Sequence, residues 1–177
     1  VLANPRPVPG AEEGEGYVMA TIHRADNTDD PERLAHILDA LGSLDCKVIL
    51  PVHPRLRARA EADGITIARG NLITIDPLAY PDMVNAVINA AGVVTDSGGL
   101  QKEAFLLGTI CTTVRTETEW VETVENGWNV LDPDAERLGE YATRPQPKGD
   151  PGHPYGDGKA ARSVAAVLLK AGERDRS

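Results

Sequence analysis

Short apolar segments alternate with helix signals along most of the chain, and this alternation restricts the possible folds more than any other feature of the sequence. Segments rich in β-branched residues predict strands at 17–23, 47–52, 72–75, 92–95, 110–114 and 129–131, and 65–68 is a candidate for one more. Most of them are apolar on both faces, as expected of parallel strands that helices cover on both sides. The pattern therefore predicts a buried parallel sheet.

Helix signals fill the intervals between these strands. The clearest start is Asp30-Pro31, because proline is favoured at the first helical position and aspartate just before it, and this helix is expected to run to about Leu44. Other helices are predicted at 55–62, 81–91, 99–107, 118–126, 134–141 and 158–171. Repeated strand–helix alternation predicts an α/β fold with a doubly wound, mostly parallel, Rossmann-like sheet.

Length and composition predict one folded domain preceded by a linker. A chain of 177 residues fits a single domain, and a domain of this size can bury about 70% of its unfolded surface. Residues 1–16 are rich in Pro, Gly and Glu and begin with Val1 rather than Met. They are therefore expected to be a linker from an N-terminal domain to a Rossmann-like domain at 17–177.

The composition argues against several classes of function. The formal net charge of −9 argues against nucleic-acid binding, which depends on clustered Lys and Arg. The absence of a signal peptide and of an apolar stretch of transmembrane length predicts no membrane contact and a cytoplasmic location. Cys46 and Cys111 each begin an apolar run and are expected to be free, buried thiols. His and Asp do not recur at metal-ligand spacing, so neither a metal nor a cofactor is expected.

The segment 93–104 has the features of a buried strand, a Gly-rich turn and a helix that begins at the turn. Gly98 and Gly99 would let an anion approach the backbone, where free N–H groups and the helix dipole attract it. Glu103 follows Gly99 by four residues on the same helix face, where its carboxylate could accept hydrogen bonds from a cis-diol. Phosphate followed by a diol describes a nucleotide. The alternative is a Gly-containing turn with an exposed helix glutamate.

Other polar residues follow the predicted strands directly. His23 and Arg24 follow the first, His53 the second and Arg115 the fifth. Ligands of doubly wound sheets bind at the carboxyl ends of the strands, so these residues predict an anionic ligand there. The alternatives are structural: His23 and Arg24 could cap loop carbonyl groups, His53 could be a structural histidine, and Arg115 could pair with a nearby glutamate.

Five segments occur in an order and at spacings typical of one family. They are 21–27 (Thr-Ile-His-Arg-Ala-Asp-Asn), 51–54 (Pro-Val-His-Pro), 96–104 (Asp-Ser-Gly-Gly-Leu-Gln-Lys-Glu-Ala), 116–123 (Thr-Glu-Thr-Glu-Trp-Val-Glu-Thr) and 155–161 (Tyr-Gly-Asp-Gly-Lys-Ala-Ala). Together they closely resemble the C-terminal half of non-hydrolysing UDP-N-acetylglucosamine 2-epimerases, over about residues 17–171. One such motif is weak evidence, but five in register are specific.

The resemblance implies an isomerase built from two Rossmann-like domains that face each other across a cleft, as in GT-B glycosyltransferases. Members of this family interconvert UDP-GlcNAc and UDP-ManNAc by eliminating UDP and adding it back to the glucal. They are commonly dimers, and the bacterial enzymes hold a second, allosteric UDP-GlcNAc in the cleft. The resemblance therefore implies a UDP-sugar substrate and, as partners, an N-terminal domain and a second copy of the full-length chain.

The resemblance also implies roles for individual residues of this chain. His23 falls on the catalytic histidine and Glu103 on the ribose-binding glutamate. The remaining matches are substrate-binding positions: Ser97, Gly98 and Gly99 on the diphosphate loop, Arg24 and His53 along the cleft where the allosteric UDP-GlcNAc binds, and Leu78 and Met83 at the uracil.

Two departures limit what the resemblance implies. Trp120 stands where many members carry arginine, so one phosphate or hydroxyl contact of the family is expected to be absent or supplied by another residue. The carboxylates that move the C2 proton belong to the N-terminal half, so this chain alone is expected to bind UDP without epimerising. Three alternatives stay open: a GT-B glycosyltransferase domain, a hydrolysing epimerase and a non-catalytic sugar-nucleotide sensor. The first should lack the His-Arg-x-x-Asn segment at 23–27, which this chain contains.

Overall fold

Six parallel strands form one sheet in the computed structural model, which describes residues 7–12, 14–149 and 151–174. The strands are β1 (Tyr17–Thr21), β2 (Lys47–Pro51), β3 (Leu72–Ile75), β4 (Gly92–Thr95), β5 (Cys111–Thr113) and β6 (Asn129–Leu131). Their order in the sheet is β3-β2-β1-β4-β5-β6, and every neighbouring pair is parallel. This is the Rossmann order, so the predicted doubly wound fold is confirmed.

Helices follow the strands along the chain. They are α1 (Ala25–Thr28), α2 (Pro31–Gly42), α3 (Pro54–Ala62), α4 (Tyr80–Ile88), α5 (Gly98–Leu107), α6 (Val121–Glu125), α7 (Leu138–Tyr141) and α8 (Ala160–Arg174). All but α1 correspond to predicted helices. A single helical turn such as α1 carries no apolar periodicity, and its cap residue Arg24 makes no side-chain cap hydrogen bond, so the sequence offered no signal for it.

The candidate strand at 65–68 is wrong. The structure has irregular backbone there, and the nearest pairing is an isolated bridge between Arg69 and Leu72. Ile65 and Ile67 instead pack their side chains against the apolar layer that contains α2. The alternating pattern is therefore satisfied by packing beside the sheet, without strand pairing.

The sheet is buried on both faces, as the sequence predicts. Along β1, Val18 and Ala20 belong to one apolar cluster, whereas Tyr17 and Met19 belong to the cluster on the other face. All four are almost fully buried. β1 therefore lies at the centre of the core, and its carboxyl end is held in a fixed position.

Both cysteines are free thiols, as predicted. Cys111 is buried at the start of β5, and burial raises the pKa of its thiol to about 12. Cys46 is half-buried, and burial also raises the pKa of its thiol. Neither thiol is therefore activated as a nucleophile.

Part of the predicted linker at 1–16 packs on the sheet. Val8 is buried in the cluster that contains Met19. Gly10 has φ +85, a left-handed backbone conformation that favours glycine. Residues 1–6 and 13 lie outside the described residues, and the role of the segment as a linker stays a prediction.

Contacts divide the chain into two units, Val1–Pro147 and Lys148–Ser177. The first contains the whole sheet. The second contains α8, and just before that helix the Asp157 carboxylate accepts a hydrogen bond from the Lys159 N–H at 3.0 Å. Val164, Val167 and Leu168 of α8 are exposed. The prediction that 17–177 form one domain stays a prediction.

Candidate functional site

A cleft of about 330 Å³ opens at the carboxyl ends of β1, β2, β3 and β4. It includes the point between β1 and β4 where the strand order reverses, which is where doubly wound sheets bind ligands. The cleft brings together most of the predicted site residues. Its lining consists of Thr21, Ile22, His23, Pro51, His53, Pro77, Leu78, Met83, Ser97, Gly99, Leu100 and Glu103.

The β4–α5 loop has the features of an anion site. Ser97 is the N-cap of α5, and its hydroxyl accepts a hydrogen bond from the Leu100 N–H at 3.5 Å. Gly98 and Gly99 are the first two residues of the helix, so their N–H groups have no acceptor within it. Gly99 is exposed, and its Cβ position has no neighbour nearer than the Ser97 hydroxyl at 4.0 Å. The loop therefore offers open N–H donors at the positive end of a helix dipole.

Gly98 lies against the segment that follows β5. A Cβ at Gly98 would meet the Glu119 carboxylate, whereas the Cβ position of Gly99 is open. Glu119 is held there by Arg115, with Nη1 and Oε2 2.8 Å apart and the Arg115 side chain only 13% exposed. The pKa of Glu119 is lowered, first by a hydrogen bond from its own backbone N–H and then by Arg115. Arg115 thus has the structural role.

Asp96 is a site residue that the sequence interpretation missed. Its carboxylate is fully buried and accepts hydrogen bonds from the His23 N–H at 3.0 Å, the Arg24 N–H at 2.8 Å and the Asn27 side-chain amide at 3.1 Å. Its Oδ1 also lies 3.3 Å from His23 Nδ1. An aspartate directly before a Gly-rich turn was the available signal, but its partners are 69 to 73 residues away in the chain. Asp96 therefore ties the β1–α1 loop to β4.

The two histidines of the cleft have different neighbours at Nδ1. His23 Nδ1 lies 3.3 Å from the Asp96 carboxylate. His53 Nδ1 accepts the Arg55 N–H at 3.1 Å, so its proton is on Nε2. The two ring centroids are 5.0 Å apart. Of the two, His23 is the one whose ring lies beside a buried carboxylate.

Part of the cleft lining is apolar. Leu78 and Met83 both line it and pack against the cluster that contains Met19. Glu103 lines the same cleft from α5, four residues after Gly99. A cavity with apolar side chains, a carboxylate and open backbone donors has the chemistry to hold a ligand that is part apolar and part anionic.

The family model of UDP-N-acetylglucosamine 2-epimerase matches residues 4–169. The chain belongs to the UDP-N-acetylglucosamine 2-epimerase family.

Relatives within this family fall into two groups by the substrate in their names. A UDP-2,3-diacetamido-2,3-dideoxy-D-glucuronate 2-epimerase of Pseudomonas aeruginosa is 41% identical over 91% of this chain and 46% of its own length. A UDP-N-acetylglucosamine 2-epimerase homolog of Methanococcus maripaludis is 39% identical over 86% of this chain and 44% of its own length. The chain therefore spans about half the length of the curated relatives it matches.

A solved epimerase structure has the same fold. The Methanocaldococcus jannaschii UDP-GlcNAc 2-epimerase, in complex with UDP-GlcNAc and UDP, superposes with a TM-score of 0.78 and 31% identity. The match covers 88% of this chain and 46% of that protein. The sheet described above thus corresponds to about half of an epimerase of this family.

Arg24 and Gly98 are the predicted site residues of this epimerase fold that do not line the cleft. Arg24 lines a neighbouring cavity of about 270 Å³ together with Arg115. Its side chain is 40% exposed, with Nε 3.7 Å from the Asp26 carboxylate. Gly98 lies directly beside the cleft, between Ser97 and Gly99.

Trp120 occupies the position where the sequence resemblance places an arginine in many epimerases. Its indole Nε1–H donates to the Gly98 carbonyl oxygen at 2.7 Å. The side chain thus contacts the β4–α5 loop from the side of α6 and is not part of the cleft lining. No sequence signal pointed to this hydrogen bond.

Among residues 7–12, 14–149 and 151–174, no group of three or more His, Cys, Asp or Glu side chains could hold a metal ion. Within the same part of the chain, none of the helices is long and apolar enough to cross a membrane.

Proposed function

We propose that this chain is the UDP-binding half of a non-hydrolysing 2-epimerase, which interconverts UDP-GlcNAc and UDP-ManNAc by eliminating UDP and adding it back. The observation that carries the proposal is the combination in one cleft of a helix start with two open backbone N–H groups, a carboxylate on the same helix and apolar side chains. Diphosphate, ribose and uracil need these three environments in this order.

The diphosphate is assigned to the start of α5. The N–H groups of Gly98 and Gly99 and the Ser97 hydroxyl would donate to its oxygens, and the helix dipole adds attraction. Glu103 would accept hydrogen bonds from the two ribose hydroxyl groups, which a carboxylate does well because it has two acceptor oxygens. Leu78 and Met83 would contact the uracil ring.

His23 is assigned to the leaving group. When the C1–O bond of the sugar breaks, the departing UDP oxygen gains negative charge, and a protonated His23 Nε2 would stabilise it or give it a proton. The Asp96 carboxylate would stabilise the imidazolium from the other side, at Nδ1. The groups that remove the C2 proton are assigned to the N-terminal half, so this chain alone would hold UDP without turnover.

A second candidate concerns the sugar. The 41% identity to the Pseudomonas aeruginosa enzyme favours a UDP-2,3-diacetamido-2,3-dideoxy-D-glucuronate as an alternative substrate. Such a sugar differs from GlcNAc at C3 and C6 and carries the same UDP group, so the assignments made above hold for either. Turnover of both UDP-sugars by a chain of the relatives' length would distinguish them.

Other parts of the proposal concern an N-terminal half, the oligomeric state, a second ligand and the location in the cell. They are the GT-B arrangement with an N-terminal domain, a homodimer of the full-length chain, an allosteric UDP-GlcNAc contacted by Arg24 and His53, and the cytoplasmic location. A glycosyltransferase, a hydrolysing epimerase and a silent sensor stay as alternatives, and a turnover assay of the full-length chain separates them by their products.

Calorimetry with UDP and with inorganic pyrophosphate tests the proposal on the chain as it is. Glu103→Ala should weaken UDP binding by about 1–3 kcal/mol, the scale of a charge-assisted hydrogen bond, while pyrophosphate affinity is retained because that ligand has no ribose. Glu61→Ala, an exposed glutamate on α3, is the matched control and should change neither affinity.

Three results would contradict the proposal. Equal losses for both ligands in Glu103→Ala would make Glu103 structural. The absence of UDP binding by the unmodified chain would remove the nucleotide site. Epimerisation of UDP-GlcNAc by this chain alone, followed by NMR, would show that the proton-moving groups are already present.

A further inference from the structure

The Trp120 side chain is hydrogen-bonded to the backbone of the β4–α5 loop. Its indole N–H donates to the Gly98 carbonyl oxygen at 2.7 Å, and its backbone N–H donates to the Thr118 hydroxyl at 3.0 Å. The first contact joins residues that are 22 positions apart in the chain. The segment before α6 is thereby tied to the first turn of α5.

The Ser97 carbonyl oxygen, next to that of Gly98, also accepts a side-chain hydrogen bond. The Thr118 hydroxyl donates to Gln101 Oε1 at 2.6 Å, and Gln101 Nε2 donates to the Ser97 carbonyl oxygen at 3.3 Å. Gln101 is fully buried, so this connection is shielded from water. The carbonyl oxygens of Ser97 and Gly98 therefore both accept side-chain hydrogen bonds.

This arrangement bears on anion binding at the start of α5. Backbone N–H groups attract an anion at a helix start, whereas backbone carbonyl oxygens repel it. If the Ser97–Gly98 or the Gly98–Gly99 peptide group rotated, its carbonyl oxygen would point to where its N–H points now, and the anion would meet an acceptor in place of a donor. We infer that Trp120 is a positioning residue, whose indole N–H fixes the Gly98 carbonyl and thereby keeps the loop in the conformation that binds a diphosphate.

The indole ring makes a second contact that a test must keep separate. The Lys102 ammonium lies 4.6 Å from the centroid of the Trp120 ring, within range of a cation–π interaction. Trp120→Phe retains an aromatic face for Lys102 and removes the N–H. It therefore isolates the hydrogen bond to Gly98.

The inference rests on the proposed function, and it is tested with UDP and pyrophosphate as ligands. Trp120→Phe should weaken the binding of both by about fivefold, the equivalent of one net hydrogen bond, with little change in melting temperature. Trp128→Phe is the matched control, because Trp128 is buried and packs edge-on against Phe105 with centroids 6.3 Å apart. It should lower the melting temperature and leave both affinities unchanged.

The affinities for the two ligands distinguish Trp120 from Glu103. Substitution of Trp120 should weaken both UDP and pyrophosphate, whereas substitution of Glu103 should weaken UDP alone. Unchanged affinities in Trp120→Phe would overturn the inference. A fall in melting temperature as large as that of Trp128→Phe, with affinities falling in parallel, would also overturn it, because the role would then be structural.

Amide hydrogen exchange of the ligand-free protein separates this inference from the proposed function. Trp120→Phe should speed exchange at residues 100–102, whose N–H groups are hydrogen-bonded in the first turn, relative to the rest of α5, whereas Trp128→Phe should not. If the unmodified chain bound neither ligand, the proposed function would fail, and faster exchange confined to 100–102 would still identify the indole contact as what fixes the loop. Unchanged exchange there would overturn the inference.

Discussion

Helices α2 and α5 belong to the same unit, but they begin in chemically different ways. α2 begins at Asp30, whose carboxylate accepts hydrogen bonds from the Glu32 N–H at 2.9 Å and the Arg33 N–H at 3.3 Å. Its first residue is Pro31, which has no N–H. The positive end of α2 is therefore neutralised within the chain.

α5 begins with a neutral cap and two glycines. The Ser97 hydroxyl takes the Leu100 N–H, and the N–H groups of Gly98 and Gly99 lie before the first intrahelical hydrogen bond. The aspartate next to this cap, Asp96, points its carboxylate into the β1–α1 loop. The comparison teaches how one helix dipole can have two uses. In α2 the dipole is satisfied by the Asp30 carboxylate and stabilises the fold. In α5 the nearby Asp96 carboxylate bonds another loop, so the dipole is available to a ligand.

The largest expected effect concerns Asp96. Asp96→Asn replaces one acceptor oxygen with an N–H₂ group that faces the donors of His23, Arg24 and Asn27, so the free energy of unfolding should fall by about 3 kcal/mol. Pyrophosphate affinity should change little, because this carboxylate does not cap α5. Chemical denaturation and calorimetry measure the two quantities.

Asp26→Asn is the control for that change. Asp26 belongs to α1, and its side chain is 80% exposed, so its substitution should stay within about 0.5 kcal/mol of the unmodified chain. A loss of stability in Asp96→Asn no larger than this would mean that the buried carboxylate does not hold the β1–α1 loop.

A smaller effect is expected when α5 is made to resemble α2. Ser97→Asp adds a carboxylate at the cap, which should keep the helix stable but weaken both UDP and pyrophosphate by about tenfold, or about 1.4 kcal/mol, through repulsion and competition for N–H donors. Thermal melts and calorimetry check both parts. Unweakened ligand binding with an intact fold would place the diphosphate away from this helix start.

The smallest effect is expected at the start of α2. Asp30→Ala should cost about 1 kcal/mol of stability through the loss of the cap, and UDP affinity should be unchanged. Denaturation with and without UDP measures this. If Asp30→Ala reduced UDP affinity and left stability unchanged, the claim that α5 and not α2 offers its helix start to the ligand would be wrong.

The sheet and the β4–α5 loop could be predicted from the sequence because their signals are local. Gly98, Gly99 and Glu103 belong to one turn and one helix, and the spacing of such residues fixes their relation. The predicted bounds of β1, β2 and β5 were too wide by one or two residues, as at Ile22 and His23 after β1. The segment 65–68 was mistaken because apolar alternation does not distinguish strand pairing from packing.

Asp96 and Trp120 could not be assigned because their partners are remote in sequence. Asp96 meets His23 across 73 residues, where β1 and β4 become neighbours only in the folded sheet. Trp120 meets Gly98 only because the segment after β5 returns across the start of α5. Hydrogen bonds of this kind depend on the tertiary fold and leave no periodic pattern in the chain.

The most direct test of the central claim is a titration of the ¹⁵N-labelled chain with UDP, followed through its backbone amide resonances. The amide signals of Gly98 and Gly99 should shift most among the helix starts, and those of Glu32 and Arg33 at the start of α2 should stay in place. Pyrophosphate should reproduce the shifts at both glycines without those around Glu103. Shifts at the start of α2, or saturation by UDP with Gly98 and Gly99 unmoved, would contradict the account.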